Sequence, residues 1–242
     1  MSSSRREFLG KGAAAAGLFA LAPGVRLIDL ALAKPDDDPA SGETRWGMLI
    51  DATQCTEGCD ACVTACNNEH GLAGFDRPQT DAQWIRKLTL RDRQTGKVTS
   101  LPMLCQHCED PPCVDVCPTG ASFKRDDGIV LVNQHTCIGC RYCMMACPYK
   151  ARSFVHETLG DQLPHAPRGK GVVESCTFCV HRVDRDRTPA CAESCEAEGH
   201  SAMLFGDLND PDSEISKRAQ RVASRQVRAD LGLSTAVRYE GV

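Results

Sequence analysis

The sequence predicts an α+β fold in which short hairpins and helices surround cysteine-bearing loops. Sixteen of the 242 residues are cysteines, and they fall into four groups of four with none left over. Between these groups, short runs of strand-forming residues alternate with turns that contain glycine, proline and aspartate. A formal net charge of −4 argues against a nucleic-acid-binding protein.

The amino-terminal segment, residues 1–33, predicts a twin-arginine signal peptide. Arg5 and Arg6 precede an uncharged stretch of 14 residues, Gly12 to Val25, and Ala31-Leu32-Ala33 offers a cleavage site. The alternative is a membrane anchor, but a spanning helix needs about 20 apolar residues. We therefore expect a periplasmic protein, exported by the twin-arginine route, that is peripheral to the cytoplasmic membrane through a partner.

The segments between the cysteine groups predict hairpins, and the last segment predicts a helix. One hairpin is expected before the second cysteine group and another after it. Ile215, Ala219 and Val222 recur at helical spacing, which predicts an amphipathic helix beginning near Asp212. Proline and glycine residues indicate a loop over 160–171. The predicted strands are 46–51, 84–93, 98–104, 122–124, 129–132 and 203–205.

The spacing of the cysteines indicates iron-sulfur clusters. The third group reads C-x2-C-x2-C-x3-C-P, in which three thiolates of one loop hold a [4Fe-4S] cluster and the fourth ligates a different cluster. The second group keeps the ending Cys117-Pro118 but has four residues between Cys108 and Cys113, and the outer two groups are looser. The groups are Cys55, Cys59, Cys62, Cys66; Cys105, Cys108, Cys113, Cys117; Cys137, Cys140, Cys143, Cys147; and Cys176, Cys179, Cys191, Cys195.

Disulfides and zinc are the alternatives to clusters. Thiols two residues apart make poor structural disulfides, and zinc ribbons call for neither a third nearby cysteine nor the Cys-Pro ending. Covalent haem is unsupported because no C-x-x-C is followed by histidine. A visible spectrum would separate brown clusters from a colourless zinc protein. We favour four [4Fe-4S] clusters, with His107 as the histidine expected to tune one of them.

Basic residues near the last two groups permit two interpretations. Either they form a solvated face, or they raise the reduction potentials of nearby anionic clusters. The sequence does not show which of these residues has which role. These residues are Arg141, Lys150, Arg152, Lys170, His181, Arg182, Arg185 and Arg187.

The connections between the groups predict two modules. A short connection joins the middle groups, so we expect residues 101–160 to form an inner two-cluster module. The outer groups would pair across the sequence, in a module built from 45–100 with 172–210. Residues 211–242 would be a carboxyl-terminal helix and tail. The predicted architecture is therefore two pseudo-symmetric bacterial 2[4Fe-4S] ferredoxin-like modules.

Three stretches carry a resemblance to a known group. Cys105–Cys113, Cys137–Cys143 and Cys147-Pro148-Tyr149 resemble the four-cluster iron-sulfur subunits of complex oxidoreductases such as dimethyl sulfoxide, polysulfide and tetrathionate reductases. This resemblance covers nearly all of residues 45–240.

Within that group the chain is most similar to the DsrO family, the periplasmic subunits of the membrane complex linked to dissimilatory sulfite reductase. This narrower resemblance rests on the twin-arginine leader, on three residues between Cys55 and Cys59, on Glu196 where the wider group has proline, and on the stretch Phe205–Pro211.

The resemblance implies that the clusters are cross-ligated between groups. It would join Cys55, Cys59 and Cys62 with Cys195; Cys176, Cys179 and Cys191 with Cys66; Cys105, Cys108 and Cys113 with Cys147; and Cys137, Cys140 and Cys143 with Cys117.

The function implied by the resemblance is electron transfer without a substrate of its own. Single electrons would pass between a quinone-interacting, NrfD-like membrane subunit and redox partners in sulfur metabolism that include a multihaem cytochrome c. The alternative role is electron transfer within a molybdopterin oxidoreductase, as its beta subunit. An enzyme with an open cluster iron would need a group that lacks a cysteine, and none does. No dinucleotide, P-loop or Ser/His/Asp motif is present.

Overall fold

A four-stranded sheet joins segments from the two ends of the described chain. The computed structural model describes residues 39–160 and 162–242, so the predicted signal peptide lies outside the described residues. The strands lie in the order β8, β1, β10 and β9. Strand β1 pairs antiparallel with β8 and parallel with β10, and β10 pairs antiparallel with β9. Their bounds are Trp46–Asp51 (β1), Met203–Asp207 (β8), Ser224–Arg225 (β9) and Val237–Glu240 (β10).

Three two-stranded hairpins make up the remaining sheets of residues 39–160 and 162–242. The predicted hairpin before the second cysteine group is β2–β3, which turns after Asp92 with a hydrogen bond from the Asp92 N–H to the Lys97 carbonyl. The predicted hairpin after that group is β4–β5. A third hairpin, β6–β7, encloses the 160–171 loop. The strands are Arg86–Arg91 (β2), Val98–Met103 (β3), Ser122–Lys124 (β4), Val130–Val132 (β5), Arg152–Phe154 (β6) and Val173–Ser175 (β7).

In the described part of the chain, six short α-helices are present, and most of them lie next to cysteines. Helix α1 packs against α5, and α2 packs against α3. Helix α6 is the predicted carboxyl-terminal helix: the Ser213 hydroxyl caps it by accepting from the Ser216 N–H at 3.2 Å. The helices are Ala61–His70 (α1), Pro112–Asp115 (α2), Tyr142–Ala146 (α3), Val180–Val183 (α4), Ala190–Ala197 (α5) and Glu214–Arg221 (α6).

Cysteine fills much of the interior. Eight of the sixteen cysteines belong to the principal buried cluster, where they pack with Met48, Ile50, Leu104 and Tyr239. This explains how a chain with few large apolar side chains outside its leader builds a core. Among the described residues, no helix is both long and apolar enough to cross a membrane.

The structure corrects the prediction of a carboxyl-terminal tail. Two strands of this segment, β9 and β10, belong to the central sheet, where Val237 and Tyr239 are fully buried and β10 lies between β1 and β9. The β6–β7 hairpin was also absent from the prediction, and its β7 strand lies within residues 172–210, which were assigned to the outer module.

A substitution at Gly47 tests how closely β1 packs against the segment that enters β10. A Cβ atom at this position would lie 2.7 Å from the Ala236 carbonyl oxygen and would overlap the Leu208 side chain. Overpacking of this kind costs about 1–3 kcal/mol. We expect Gly47→Ala to lower the free energy of unfolding by that amount, measured by circular dichroism during denaturant unfolding. Gly160→Ala is the matched control because nothing lies within 4 Å of its Cβ position; equal losses in the two variants would contradict the prediction.

Candidate iron-sulfur sites

The fold brings four sets of cysteines together, and each set combines thiols from two of the sequence groups. We number them as sites 1 to 4. Two sets line small cavities: that of site 1 is bordered by β2, β3 and β8, and that of site 4 by β4, β5, β7 and α3. The thiols of sites 2 and 3 lie close enough to interact electrostatically within each set. The sites are Cys55, Cys59, Cys62, Cys195 (site 1); Cys66, Cys176, Cys179, Cys191 (site 2); Cys105, Cys108, Cys113, Cys147 (site 3); and Cys117, Cys137, Cys140, Cys143 (site 4).

Short helices divide their cysteines between neighbouring sites. Helix α1 contributes Cys62 to site 1 and Cys66 to site 2, and α5 contributes Cys195 and Cys191 to the same two sites. Residues four apart lie on one helical face, one turn apart, so a single helix reaches two adjacent sites. Sites 3 and 4 are related through cysteine pairs of the same spacing, but only Cys113 and Cys143 lie within α2 and α3; Cys117 and Cys147 lie just beyond the ends of these helices.

Proline determines where two of these helices end. Pro118 and Pro148 follow the last cysteines of the second and third groups, and α2 and α3 end before them. The fourth group has Glu196 at the equivalent position, and α5 continues through it to Ala197. Cys195 therefore reaches site 1 from within a helix.

The four sites form a row. Sites 1 and 2 meet at Cys62 and Cys66, sites 2 and 3 meet at Cys176 and Cys105, and sites 3 and 4 meet where Cys113 approaches Cys143. All cysteines of the two middle sites are buried, whereas both end sites contain partly exposed thiols. The row therefore begins and ends near the protein surface.

Because these cysteine side chains are buried, they stay protonated as thiols unless a positive charge lies close to them. Burial raises the pKa of Cys62 to about 11 and that of Cys105 to about 12. Burial also raises the pKa values of Cys176 and Cys191, and neighbouring thiols raise them further. A cysteine ligand must be deprotonated, so positive charge is needed within each set. Cluster iron fits this requirement, because four sulfur donors are the ligand set of a [4Fe-4S] cluster.

Nitrogen donors point at the cysteine sulfurs, which also fits a cluster. Backbone N–H groups of Ser122, Ala151 and Val173 donate to Cys117, Cys147 and Cys137 at 3.3–3.5 Å. Such donors are satisfied by thiolate sulfur and are among the features that set cluster potentials.

Arg152 is a buried cation between two sites. It is 5% exposed, and its Nη2 donates to Cys113 Sγ of site 3 at 3.1 Å. The same guanidinium acts on Cys143 of site 4, where its positive charge opposes the rise in pKa that burial causes. A positive charge shared by two sulfur sets stabilises the more negative, reduced state of a cluster at either one.

Two histidines also lie against the cysteine sets. His70 Nε2 is 3.3 Å from Cys179 Sγ. His107 is fully buried, stacks on Phe178 at 3.7 Å between ring centroids, and its Nδ1 accepts from the Val130 N–H. Its Nε2 then carries the proton and has no partner among the described residues. His107 immediately precedes Cys108 of site 3 in the sequence, and its role in tuning a cluster stays a prediction.

Sequence reasoning did not distinguish three of the residues at the sites. His70 follows Cys66 by one helical turn, a spacing that could have indicated its position near site 2. Lys87 lies on β2, and its ammonium group contacts the Cys59 carbonyl beside site 1; no local pattern indicates this long-range contact. Arg152 was one of eight basic residues, and only the fold separates it from the exposed ones.

Comparison with known proteins gives matches along the whole chain. Residues 54–121 and 96–208 each match a 4Fe-4S dicluster domain family. The chain is 41% identical to the Hdr-like menaquinol oxidoreductase iron-sulfur subunit 1 of Archaeoglobus fulgidus, over 99% of this chain and 98% of that protein. It is 37% identical to the B subunit of the tetrathionate reductase of Salmonella typhimurium, over 100% and 90%. It is 36% identical to the menaquinone reductase iron-sulfur cluster-binding subunit of Nitratidesulfovibrio vulgaris, over 75% and 84%.

Removing the Arg152 charge tests its electrostatic role. We expect Arg152→Gln to lower the midpoint potentials at sites 3 and 4 by on the order of 100 mV, the equivalent of one charge-assisted hydrogen bond for a one-electron couple. The measurement is electron paramagnetic resonance during a redox titration. Arg185→Gln removes an exposed charge from the same set of eight basic residues and should leave the potentials unchanged. Equal potentials in wild type and Arg152→Gln would refute the role.

Proposed function

Because the chain belongs to the 4Fe-4S iron-sulfur subunits of oxidoreductase complexes, we propose that it conducts single electrons along sites 1 to 4 between two protein partners. The observation that carries this proposal is the row of cysteine sets with buried middle members and partly exposed ends. A catalytic site would need one accessible centre, whereas a conductor needs two accessible ends joined through an insulated interior. When bound, the clusters would supply the one-electron redox chemistry.

The proposed cofactor content is four [4Fe-4S] clusters, with all sixteen cysteines as ligands in the four sets defined above. Two features support the number: every set contains four cysteines, and none of the sixteen is left over. Two dicluster-domain matches along the chain are consistent with it. The chain's own residues would bind the clusters, exclude water from sites 2 and 3, and place charge beside them.

The proposed architecture is two ferredoxin-like modules related by pseudo-symmetry. Contacts of α1 with α5 support an outer module drawn from 45–100 and 172–210, and contacts of α2 with α3 support an inner module in 101–160. The hairpin β6–β7 lies across the boundary between them. The carboxyl-terminal residues 211–242 extend the sheet of the outer module.

We propose a periplasmic location and a quinone-linked partner. Arg5, Arg6 and the Ala31–Ala33 segment support export by the twin-arginine route. The names of two relatives contain menaquinol and menaquinone, which supports a quinone-interacting, NrfD-like membrane subunit at one end of the row. A multihaem cytochrome c, as in complexes of the DsrO type, would be the partner at the other end.

The second candidate is the electron-transfer subunit of a molybdopterin oxidoreductase. The similarity to the tetrathionate reductase protein favours it, as does 38% identity to the iron-sulfur subunit of a putative dimethyl sulfoxide reductase of Halobacterium salinarum. The conducting role is the same in both candidates, and only the partner differs.

Purification of the chain with its partners tests the function. From anaerobic, detergent-solubilised membranes, we expect the chain to co-purify with an integral membrane subunit and to be reduced by a menaquinol analogue. A molybdopterin subunit in the same complex would select the second candidate. If the purified complex has no cluster signal that responds to quinol or to the second partner, the conducting role is wrong.

Replacing Cys66 tests the assignment of ligands across groups. In the proposed arrangement Cys66 serves site 2 although it lies in the first sequence group. Cys66→Ser should therefore perturb the electron paramagnetic resonance signal that Cys176→Ser alters, and leave the one that Cys55→Ser alters nearly intact.

The three variants are compared side by side in one redox titration. If Cys66→Ser instead alters the Cys55→Ser signal and spares the Cys176→Ser signal, each sequence group holds its own cluster. The two-module architecture would then be wrong.

A further inference from the structure

A cleft beside site 2 is lined by more than half of the histidines of the chain. Of the seven histidines in the sequence, four line this cleft: His70, His135, His165 and His181. The cleft lies between the 160–171 loop, helix α4 and the strand β5, and it opens to solvent at its rim. None of the sixteen cysteines lines it, so it is distinct from the four cysteine sites.

Three side chains converge at one end of the cleft. Glu69 comes from the last turn of α1, His165 from the loop, and His181 from α4. Their ligand atoms all lie within 4.8 Å of one another. Glu69 Oε1 is 2.7 Å from His181 Nε2 and 4.0 Å from His165 Nε2. Metal–ligand bonds of about 2.0–2.2 Å would bridge donors at these separations after only small side-chain shifts.

Neighbouring side chains hold the Glu69 carboxylate in a position from which it can bind a metal ion. Arg182 Nη1 donates to Glu69 Oε2 at 3.0 Å, which fixes one carboxylate oxygen and leaves Oε1 facing the two imidazoles. Burial alone would raise the pKa of Glu69, but the hydrogen bond from His181 and the charge of Arg182 lower it, so the carboxylate is ionised. Orientation by a second group of this kind is a regular feature of metal sites.

Solvent can reach the three donors. The side chains of Glu69, His165 and His181 are 23%, 32% and 14% exposed, so an ion can enter and water can complete its coordination. Two imidazole nitrogens with one carboxylate suit zinc and similar transition metals, whereas magnesium and calcium prefer oxygen donors alone.

We propose that Glu69, His165 and His181 bind one divalent transition-metal ion of the zinc class, at a site separate from the four cysteine sets. This inference does not depend on the electron-transfer role. It requires only that the cysteines be occupied by clusters during the test, so that zinc does not bind to free thiols.

The test uses anaerobically purified, cluster-loaded protein titrated with Zn²⁺ in a calorimeter, followed by zinc X-ray absorption of the loaded sample. We expect one zinc per chain with only nitrogen and oxygen ligands. His165→Ala should weaken binding at least about tenfold. His165→Gln should do the same, although its amide can still donate to the Glu69 carbonyl that His165 contacts at 2.8 Å. Unchanged visible absorption would show that each variant retains its clusters.

His135→Ala is the matched control, because His135 lines the same cleft but does not belong to the triad; it should bind zinc as the wild type does. Three results would each overturn the proposal: no zinc bound by the cluster-loaded wild type, sulfur in the zinc coordination shell, or equal affinity in wild type and both His165 variants. Sulfur ligands would mean that zinc had replaced iron at the cysteines.

Discussion

The spacing of two cysteines four residues apart on a short helix is the constraint on which the rest of the structure depends. It places two thiols on one helical face, and each helix then serves two neighbouring sites. Because α1 and α5 share sites 1 and 2, the first and last cysteine groups must meet, although more than a hundred residues separate them. The central sheet follows from this closure, since β1 and β8 lead into and out of those two groups.

Burial of most of the sixteen thiols links folding to cofactor insertion. The cysteines occupy the positions that large apolar side chains fill in other domains of this size, and burial alone would keep them protonated. Four buried thiols need iron to become thiolate ligands, and they form a poorly stabilised core when the iron is absent. Metal binding energy in such proteins is therefore also folding energy.

Sequence reasoning was strongest where structure is local. Turns and alternating strands predicted β2–β3 and β4–β5, because hairpin pairing depends on adjacent residues. It failed for β10, whose partner β1 is almost 190 residues away, although the alternation of buried Val237 and Tyr239 with partly exposed neighbours was a usable signal. The Glu69–His181 contact likewise joins residues that no local pattern relates.

The structure separates the two interpretations of the basic residues one by one. Lys150, Arg185 and Arg187 are exposed and belong to a solvated face, where water screens their charges. Arg152 and Arg182 are each 5% exposed, and the cysteines near them include Cys113 and Cys179. Inside the protein a charge acts at a lower dielectric, so Arg152, whose hydrogen bonds go to Ser122 and Cys113, outweighs the exposed residues in its effect on the cysteine sites. The charge of Arg182 is offset by its ion pairs with Glu69 and Glu193. Burial, and not the number of basic residues, therefore decides which charges can tune electron transfer.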